Sequence, residues 1–150
     1  MRNARAAYFS TNNLDFNREL LDCVADNILV IHNLGIRLPS NSDYLDAMLK
    51  KSTLLVGNRI EWSTISSITG LNPQQMLLSS SSPQNILITA GRDGVQLFTR
   101  REDVPVDFPA DTVQNRRSPV GAGDSFAVGE LDHDIYGSAC SSKYETRPTR

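Results

Sequence analysis

Apolar residues recur in two patterns that alternate along the first half of the chain. One pattern has helical spacing over residues 16–24, with Asn12 or Asn13 available as an N-cap, and it predicts an α-helix. The other is a short run rich in β-branched residues over 27–33, which predicts a buried strand. Both patterns then repeat. The predicted order is helix 16–24, strand 27–33, helix 41–51 and strand 53–58.

The second half begins with two further helices and a hairpin. Residues 59–70 carry a helical apolar set that closes on Gly70, a residue type favoured at helix C-termini. The Asn-Pro pair at 72–73 predicts the start of a short helix, and the serine-rich stretch 79–83 is typical of a loop. Two strand-like runs around a glycine-containing turn predict a hairpin over 85–98.

These elements predict an α/β fold. Strands without polar alternation that alternate with helices are typical of a mainly parallel sheet covered by helices on both faces. Farther along, we expect a short strand over 111–114 and a helix over 123–135, with Val128, Leu131 and Ile135 on one side. The 150 residues suffice for one domain. Residues 130–150 are polar, and we expect them to be poorly ordered.

Composition narrows the class of protein. Charged residues make up 21% of the chain and the net charge is −2, as in ordinary soluble proteins. The basic residues are scattered rather than clustered, which argues against a nucleic-acid partner. Apolar runs are too short for a membrane span, and the first residues lack the apolar centre of a secretory signal. The sequence therefore favours a cytoplasmic protein that does not bind membranes or nucleic acid.

Cysteine and histidine usage indicates neither a disulfide framework nor a zinc site. Cys23 and Cys140 are the two cysteines, and we interpret both as reduced thiols because no export signal is present. His32 and His133 stand alone, without neighbours at metal-ligand spacing. The candidate chemistry lies elsewhere.

The segment SPVGAGDSF, residues 118–126, is a candidate anion site. A helix that begins at Gly123 or Asp124 leaves unbonded backbone N–H groups at its positive end, and the small residues Gly121, Ala122 and Gly123 allow an anion to approach. Asp124 is then placed to accept the proton of an attacking hydroxyl. The same pattern also fits an ordinary glycine-rich helix cap.

Two other segments carry candidate ligands. Asn58 and Glu61 lie where a strand runs into a helix, and oxygen ligands at that position suit magnesium. The alternative is structural, with Asn58 as the helix cap and Glu61 as an acid in the first turn. In TAGRDG, residues 89–94, the glycines fit a hairpin turn, and the functional alternative has the turn backbone lining a nucleotide site.

Taken in order, NRIE, TAGRDG and SPVGAGDSF resemble the ribokinase-like, or phosphofructokinase B, family of carbohydrate and nucleoside kinases. The ATP-side half of that family carries Asn-x-x-Glu, Thr-x-Gly-x-x-Gly and Gly-Ala-Gly-Asp in the same sequence. The resemblance covers residues 52–129, and LDFNRE near the start is a loose match to a further family stretch. It implies a three-layer α/β/α ribokinase-like fold with a mainly parallel sheet, truncated at both ends. The partial kinase domain would then span residues 1–129.

The resemblance also implies a role for each matched residue and the cofactors ATP and Mg²⁺. Asp124 would be the catalytic base, and Glu61 would act on Mg²⁺ through water. The anion hole would be formed by Gly121, Ala122 and Gly123, and the ATP site would include Asn58, Thr89, Gly91 and Gly94. The implied reaction transfers the γ-phosphate of ATP to a hydroxyl of a sugar, sugar phosphate or nucleoside.

The sequence departs from the family at both ends. The Gly-Gly motif and β-stranded lid expected on the substrate side are not recognisable, and Glu130 stands where family members have an apolar residue. We therefore expect low activity, because positioning of the acceptor hydroxyl supplies much of the rate enhancement. The alternatives are a non-catalytic nucleotide-binding or interaction module of the same fold and a plain α/β structural domain. SPV favours a phosphosugar acceptor and VGNRIEW an adenosine-type acceptor, so the acceptor stays open.

Overall fold

Strands and helices alternate along the part of the chain that the structure describes. The structure is a computed structural model that describes residues 4–10, 13–35, 42–79 and 83–110. Its strands are β1 (Ala6–Ser10), β2 (Leu29–Asn33), β3 (Leu54–Asn58), β4 (Asn85–Thr89), β5 (Val95–Thr99) and β6 (Val106–Phe108). Its α-helices are α1 (Leu14–Cys23), α2 (Ser42–Lys51), α3 (Arg59–Thr69) and α4 (Pro73–Ser79), and a short 3₁₀ turn spans Gly91–Asp93.

All six strands form one sheet whose spatial order, β1-β2-β3-β4-β5-β6, follows the chain. The first four strands are parallel, and β5 is antiparallel to both of its neighbours, β4 and β6. The predicted α/β fold with a mainly parallel sheet is therefore confirmed, as is the predicted hairpin, which consists of β4 and β5. Parallel neighbours joined by helical crossovers bring the carboxyl ends of β1 to β4 to one edge of the sheet.

Local sequence signals explain where two of the helices begin and end. The side chain of Asn13 caps α1 by accepting a hydrogen bond from the Phe16 amide at 3.1 Å. Helix α3 ends at Gly70, whose φ of 70° is the left-handed conformation typical of a helix C-cap. Both caps agree with the predictions from sequence.

The main core lies on the face of the sheet that carries all four described helices. It combines strand residues with the apolar faces of α1 to α4. Its largest fully buried side chains include Leu21, Tyr44, Met48, Leu55, Ile65, Met76, Leu77 and Ile86. A smaller cluster of Ile31, Leu54, Val56 and Leu87 lies on the opposite face, and among the described residues only strands contribute to it. The helix predicted over 123–135 and the strand predicted over 111–114 lie outside the described residues.

The structure also contains features that the sequence patterns did not predict. β1 and β6 were not predicted, and every residue of β6 is exposed, so no buried periodicity marks it. In α1 the buried face includes Asn17 rather than Phe16, which is 54% exposed. Ile68 of α3 is likewise exposed, although helical spacing placed it with the core residue Trp62.

A chain of hydrogen bonds crosses the main core around His32, which is fully buried and stacks on Phe9 at a ring distance of 4.7 Å. The Ser52 hydroxyl donates to the Met48 carbonyl at 2.6 Å, so its oxygen is left to accept from His32 Nδ1 at 2.7 Å. His32 Nε2 is then the acceptor for the Tyr44 hydroxyl at 2.9 Å. The network therefore holds a neutral imidazole with its proton on Nδ1.

The network extends to the end of β1. Tyr44 is also hydrogen-bonded to the side chain of Asn17, and Asn17 Nδ2 donates to the Ser10 carbonyl. Asn17 is buried at a position that helical spacing alone would give to an apolar residue, and these two bonds give its side-chain amide partners inside the protein. Burial lowers the pKa of His32 to about 3, which agrees with the neutral form that the hydrogen bonds require.

Candidate active site

Polar residues occupy the carboxyl ends of all four parallel strands. Ser10, Asn33, Asn58 and Thr89 are the last residues of β1 to β4. Asn58 is paired directly with Thr89, so the two motifs that these residues begin, separated by 31 positions in sequence, are neighbours in the sheet. Open α/β sheets bind ligands at this edge, because loops and helix N-termini converge there.

Asn58 and Glu61 form a reciprocal capping box at the start of α3. Asn58 Oδ1 accepts hydrogen bonds from the amides of Ile60 and Glu61, both at 2.9 Å, and Glu61 Oε2 accepts from the Asn58 amide at 2.9 Å. The structural alternative considered for this motif is therefore present: Asn58 caps the helix and Glu61 lies in its first turn. The side chains nevertheless stay at the carboxyl edge, where Asn58 is exposed.

Glu61 is partly withdrawn from water beneath this cap. Burial raises the pKa of its carboxyl group, while the bonds from Asn58 act in the opposite direction. Gly57 provides the room, since a Cβ at that position would lie 3.1 Å from Glu61 Oε2 and 2.8 Å from Leu34 Cδ1.

Thr89 ends β4 beside Asn58 and begins the turn of the hairpin. Its hydroxyl lies 3.5 Å from the Gly57 carbonyl, a long hydrogen bond that links β4 to β3. The turn is closed by the Ala90 amide donating to the Gly94 carbonyl at 2.8 Å. Residues 89–94 therefore form the hairpin turn that the sequence predicted, at the edge where a nucleotide site was expected.

Gly94 fixes the turn against the end of β6. Its φ of 95° and ψ of −140° belong to a region that side chains rarely allow. A Cβ there would lie 2.0 Å from the Phe108 carbonyl oxygen, so the backbones approach more closely than any other residue would permit. Gly91, with φ of 61° and open space around it, is exposed in the same turn.

An ion pair that sequence analysis missed joins the two motifs. Arg59 Nη1 lies 2.8 Å from Asp93 Oδ2, so the first residue of α3 contacts the last residue of the 3₁₀ turn. The available signal was a basic residue inside NRIE and an acidic residue inside TAGRDG, two segments expected at the same edge of the sheet. Opposite charges in converging loops favour such a contact.

The remaining predicted site residues lie beyond the described part of the chain. Asp124 and the segment Gly121–Gly123 fall in the range 111–150, so their predicted roles stay predictions. Across residues 4–10, 13–35, 42–79 and 83–110, no group of three or more His, Cys, Asp or Glu side chains is arranged to hold a metal ion. Within the same ranges no helix is both long and apolar enough to span a membrane.

Comparison with known protein sequences gave one match and one negative result. Residues 3–132 match the sequence profile described as pfkB family carbohydrate kinase. A search of curated proteins gave no significant match. The sequence match extends through all three motifs discussed above.

Solved structures share the fold. A nucleoside kinase of Methanocaldococcus jannaschii, described as an archaeal member of the ribokinase family, superposes with a TM-score of 0.78 at 22% identity, over 89% of this chain and 43% of that one. Burkholderia thailandensis nucleoside kinase in complex with inosine gives 0.77 at 21%, over 89% and 43%. Arabidopsis thaliana ribokinase complexed with ribose and ATP gives 0.67 at 18%, over 94% and 46%. The chain thus spans less than half the length of each.

Proposed function

The chain belongs to the pfkB family of carbohydrate kinases, and from this premise we propose that it carries the nucleotide side of an ATP-dependent kinase. The acceptor would be a hydroxyl of a sugar, sugar phosphate or nucleoside. The observation that carries the proposal is the direct pairing of Asn58 with Thr89, which brings the Asn58–Glu61 cap and the Thr89–Gly94 turn together at the carboxyl edge of the sheet. Two of the three family motifs therefore border the same place.

In the proposed reaction the acceptor oxygen attacks the γ-phosphorus of ATP as Asp124 removes its proton. A bond forms between that oxygen and phosphorus, the bond from the γ-phosphorus to the bridging oxygen breaks, and ADP leaves. The amides of Gly121, Ala122 and Gly123 would stabilise the negative charge on the transferred phosphoryl group. These roles follow from the family motif, and they require the 121–124 segment to face the Asn58–Thr89 edge.

On the nucleotide side, Asn58 would contact the phosphate end of ATP, and Gly91 and Gly94 would line its pocket with backbone. Magnesium, when bound, would neutralise phosphate charge. Glu61 would hold it through water: its Oε2 atom already accepts from Asn58 N, so Oε1 is the atom that would accept from the metal's hydration shell. The partial burial of this carboxylate supports the assignment, because a buried acid gains most from a nearby cation.

The proposal is tested by ADP release from ATP and Mg²⁺ with a panel of ribose, fructose, sugar phosphates and nucleosides. We expect slow turnover that depends on one acceptor and falls about 100-fold or more in Asp124→Asn, the scale typical of a lost general base. Turnover should be slow because the sequence shows no recognisable acceptor-binding motif. Calorimetry with ATP and Mg²⁺ provides the second measurement.

The outcomes separate the kinase from its alternative. If the protein binds nucleotide but phosphorylates none of the acceptors, the result would favour the non-catalytic nucleotide-binding module. Turnover that Asp124→Asn leaves unchanged would remove Asp124 from the mechanism. Absence of both binding and turnover would refute the proposed function.

A further inference from the structure

Arg59 occupies a position that the stability of its own helix does not explain. It is the first residue of α3, where the partial positive charge of the helix N-terminus disfavours a cation. Its partner is Asp93, 34 positions away in the 3₁₀ turn, rather than a residue of the same helix. The Arg59 guanidinium therefore connects helix α3 to the 3₁₀ turn, and its charge lowers the stability of α3.

The pair is too exposed to contribute much to global stability. The side chains of Arg59 and Asp93 are 57% and 54% exposed, and ion pairs of this kind contribute little to the free energy of unfolding. Its effect is instead local. Asp93 belongs to a turn with three internal backbone bonds. The Asp93 amide lies 3.2 Å from the Ala90 carbonyl, at the upper end of the usual range, and the Gly94 amide lies 3.3 Å from the Gly91 carbonyl, just beyond it.

The turn is thus held on two sides. Gly94 abuts the end of β6 at the Phe108 carbonyl, and Arg59 reaches Asp93 from the side of α3. Because Arg59 directly follows Asn58, the ion pair connects the turn to the helix end that carries the Asn58–Glu61 cap. We propose that Arg59 and Asp93 are a positioning pair that fixes the spacing between the two nucleotide-binding segments; this inference rests on the proposed function.

Three variants test the proposal: Arg59→Gln, Asp93→Asn and the reversed pair Arg59→Asp with Asp93→Arg. Hydrogen exchange of the Asp93 and Gly94 amides reports on the turn without any ligand. Calorimetry with ADP and Mg²⁺ reports on the nucleotide site. The matched control is Asp26→Asn, which removes the ion pair between Lys51 and Asp26 at 3.2 Å, away from this turn.

We expect each single variant to speed exchange of the turn amides and to weaken ADP binding by about twofold to fivefold, as the modest energy of an exposed pair implies. The reversed pair should recover at least part of both losses, and Asp26→Asn should change neither. Urea midpoints should stay close to the parent value in all variants, because the pair acts locally.

The two proposals fail in different ways. If the parent protein does not bind ADP, the proposed function fails, and exchange of the turn amides still decides whether the pair positions the turn. If the parent binds ADP but neither single variant alters exchange or affinity, the positioning role is refuted. Effects of equal size in Asp26→Asn would also refute it.

Discussion

Replacing Tyr44 by Phe removes one hydroxyl from the hydrogen-bond chain in the main core. The ring of Tyr44 stays fully buried against its neighbours, so packing is preserved and the change is confined to hydrogen bonding. Without the hydroxyl, His32 Nε2 loses its donor at 2.9 Å, and Asn17 loses one partner. Each buried polar group left unpaired costs about 1–3 kcal/mol.

We therefore expect Tyr44→Phe to lower the free energy of unfolding by about 2 kcal/mol, because the His32 ring is completely enclosed. With a urea dependence of about 2 kcal/mol per M for a domain of this size, the unfolding midpoint should fall by about 1 M. Circular dichroism in a urea titration measures it. Ser67→Ala is the control, since it removes an exposed hydroxyl that bonds only a carbonyl one helical turn earlier, and it should shift stability by less than about 0.5 kcal/mol.

A midpoint for Tyr44→Phe within error of the parent and of Ser67→Ala would show that the hydroxyl does not satisfy His32. Long-range ¹H–¹⁵N spectra of the imidazole provide an independent check. The donor and acceptor assignments require the proton on His32 Nδ1, so a spectrum of the Nε2–H tautomer would refute the direction of the whole chain.

Two further predictions concern His32 and Gly94. His32 has a pKa of about 3 in the folded protein and an ordinary value of 6.5, so the unfolded state binds more protons between those two pH values. The free energy of unfolding should therefore fall by about 1.4 kcal/mol for each pH unit below pH 6. Urea titrations of His32→Gln should show a flatter dependence on pH. An equal slope in both proteins would contradict burial of a neutral imidazole. Gly94→Ala should cost more than Gly70→Ala. Gly70 lies in the left-handed helical region, where a side chain costs about 1–2 kcal/mol. Gly94 lies in a rarer region that costs about 1–3 kcal/mol, and a side chain there would also meet the Phe108 carbonyl. Equal thermal shifts would refute the close approach.

Much of the fold could be predicted because its signals are local. The Asn13 cap of α1, the Gly70 cap of α3 and the hairpin over 85–98 each depend on residues a few positions apart. The alternation of buried strands with helices then determined the α/β class. Because these interactions join residues that are close in sequence, they can be predicted from a single sequence.

The missed features depend on tertiary contacts. The side chain of Asn17 can be buried because it bonds to Tyr44 and to the Ser10 carbonyl, and nothing within α1 shows that those partners exist. β6 is recognisable only by its pairing with β5, since all three of its residues are exposed. The contact of Arg59 with Asp93 required the register that places Asn58 beside Thr89.

At the start of α3, the same side chains that cap the helix are the candidate ligands, so ligand binding can compete with the stability of the helix end. Asn58 Oδ1 already serves two amides of the helix, and Glu61 closes the same ring of bonds. A phosphate or metal ion that draws either side chain outward must loosen the first turn of α3, at a cost of about 1 kcal/mol for a lost cap. For a ligand that binds in this way, occupancy and fraying of this helix end are thermodynamically linked, and the amides of Ile60 and Glu61 report that the site is filled.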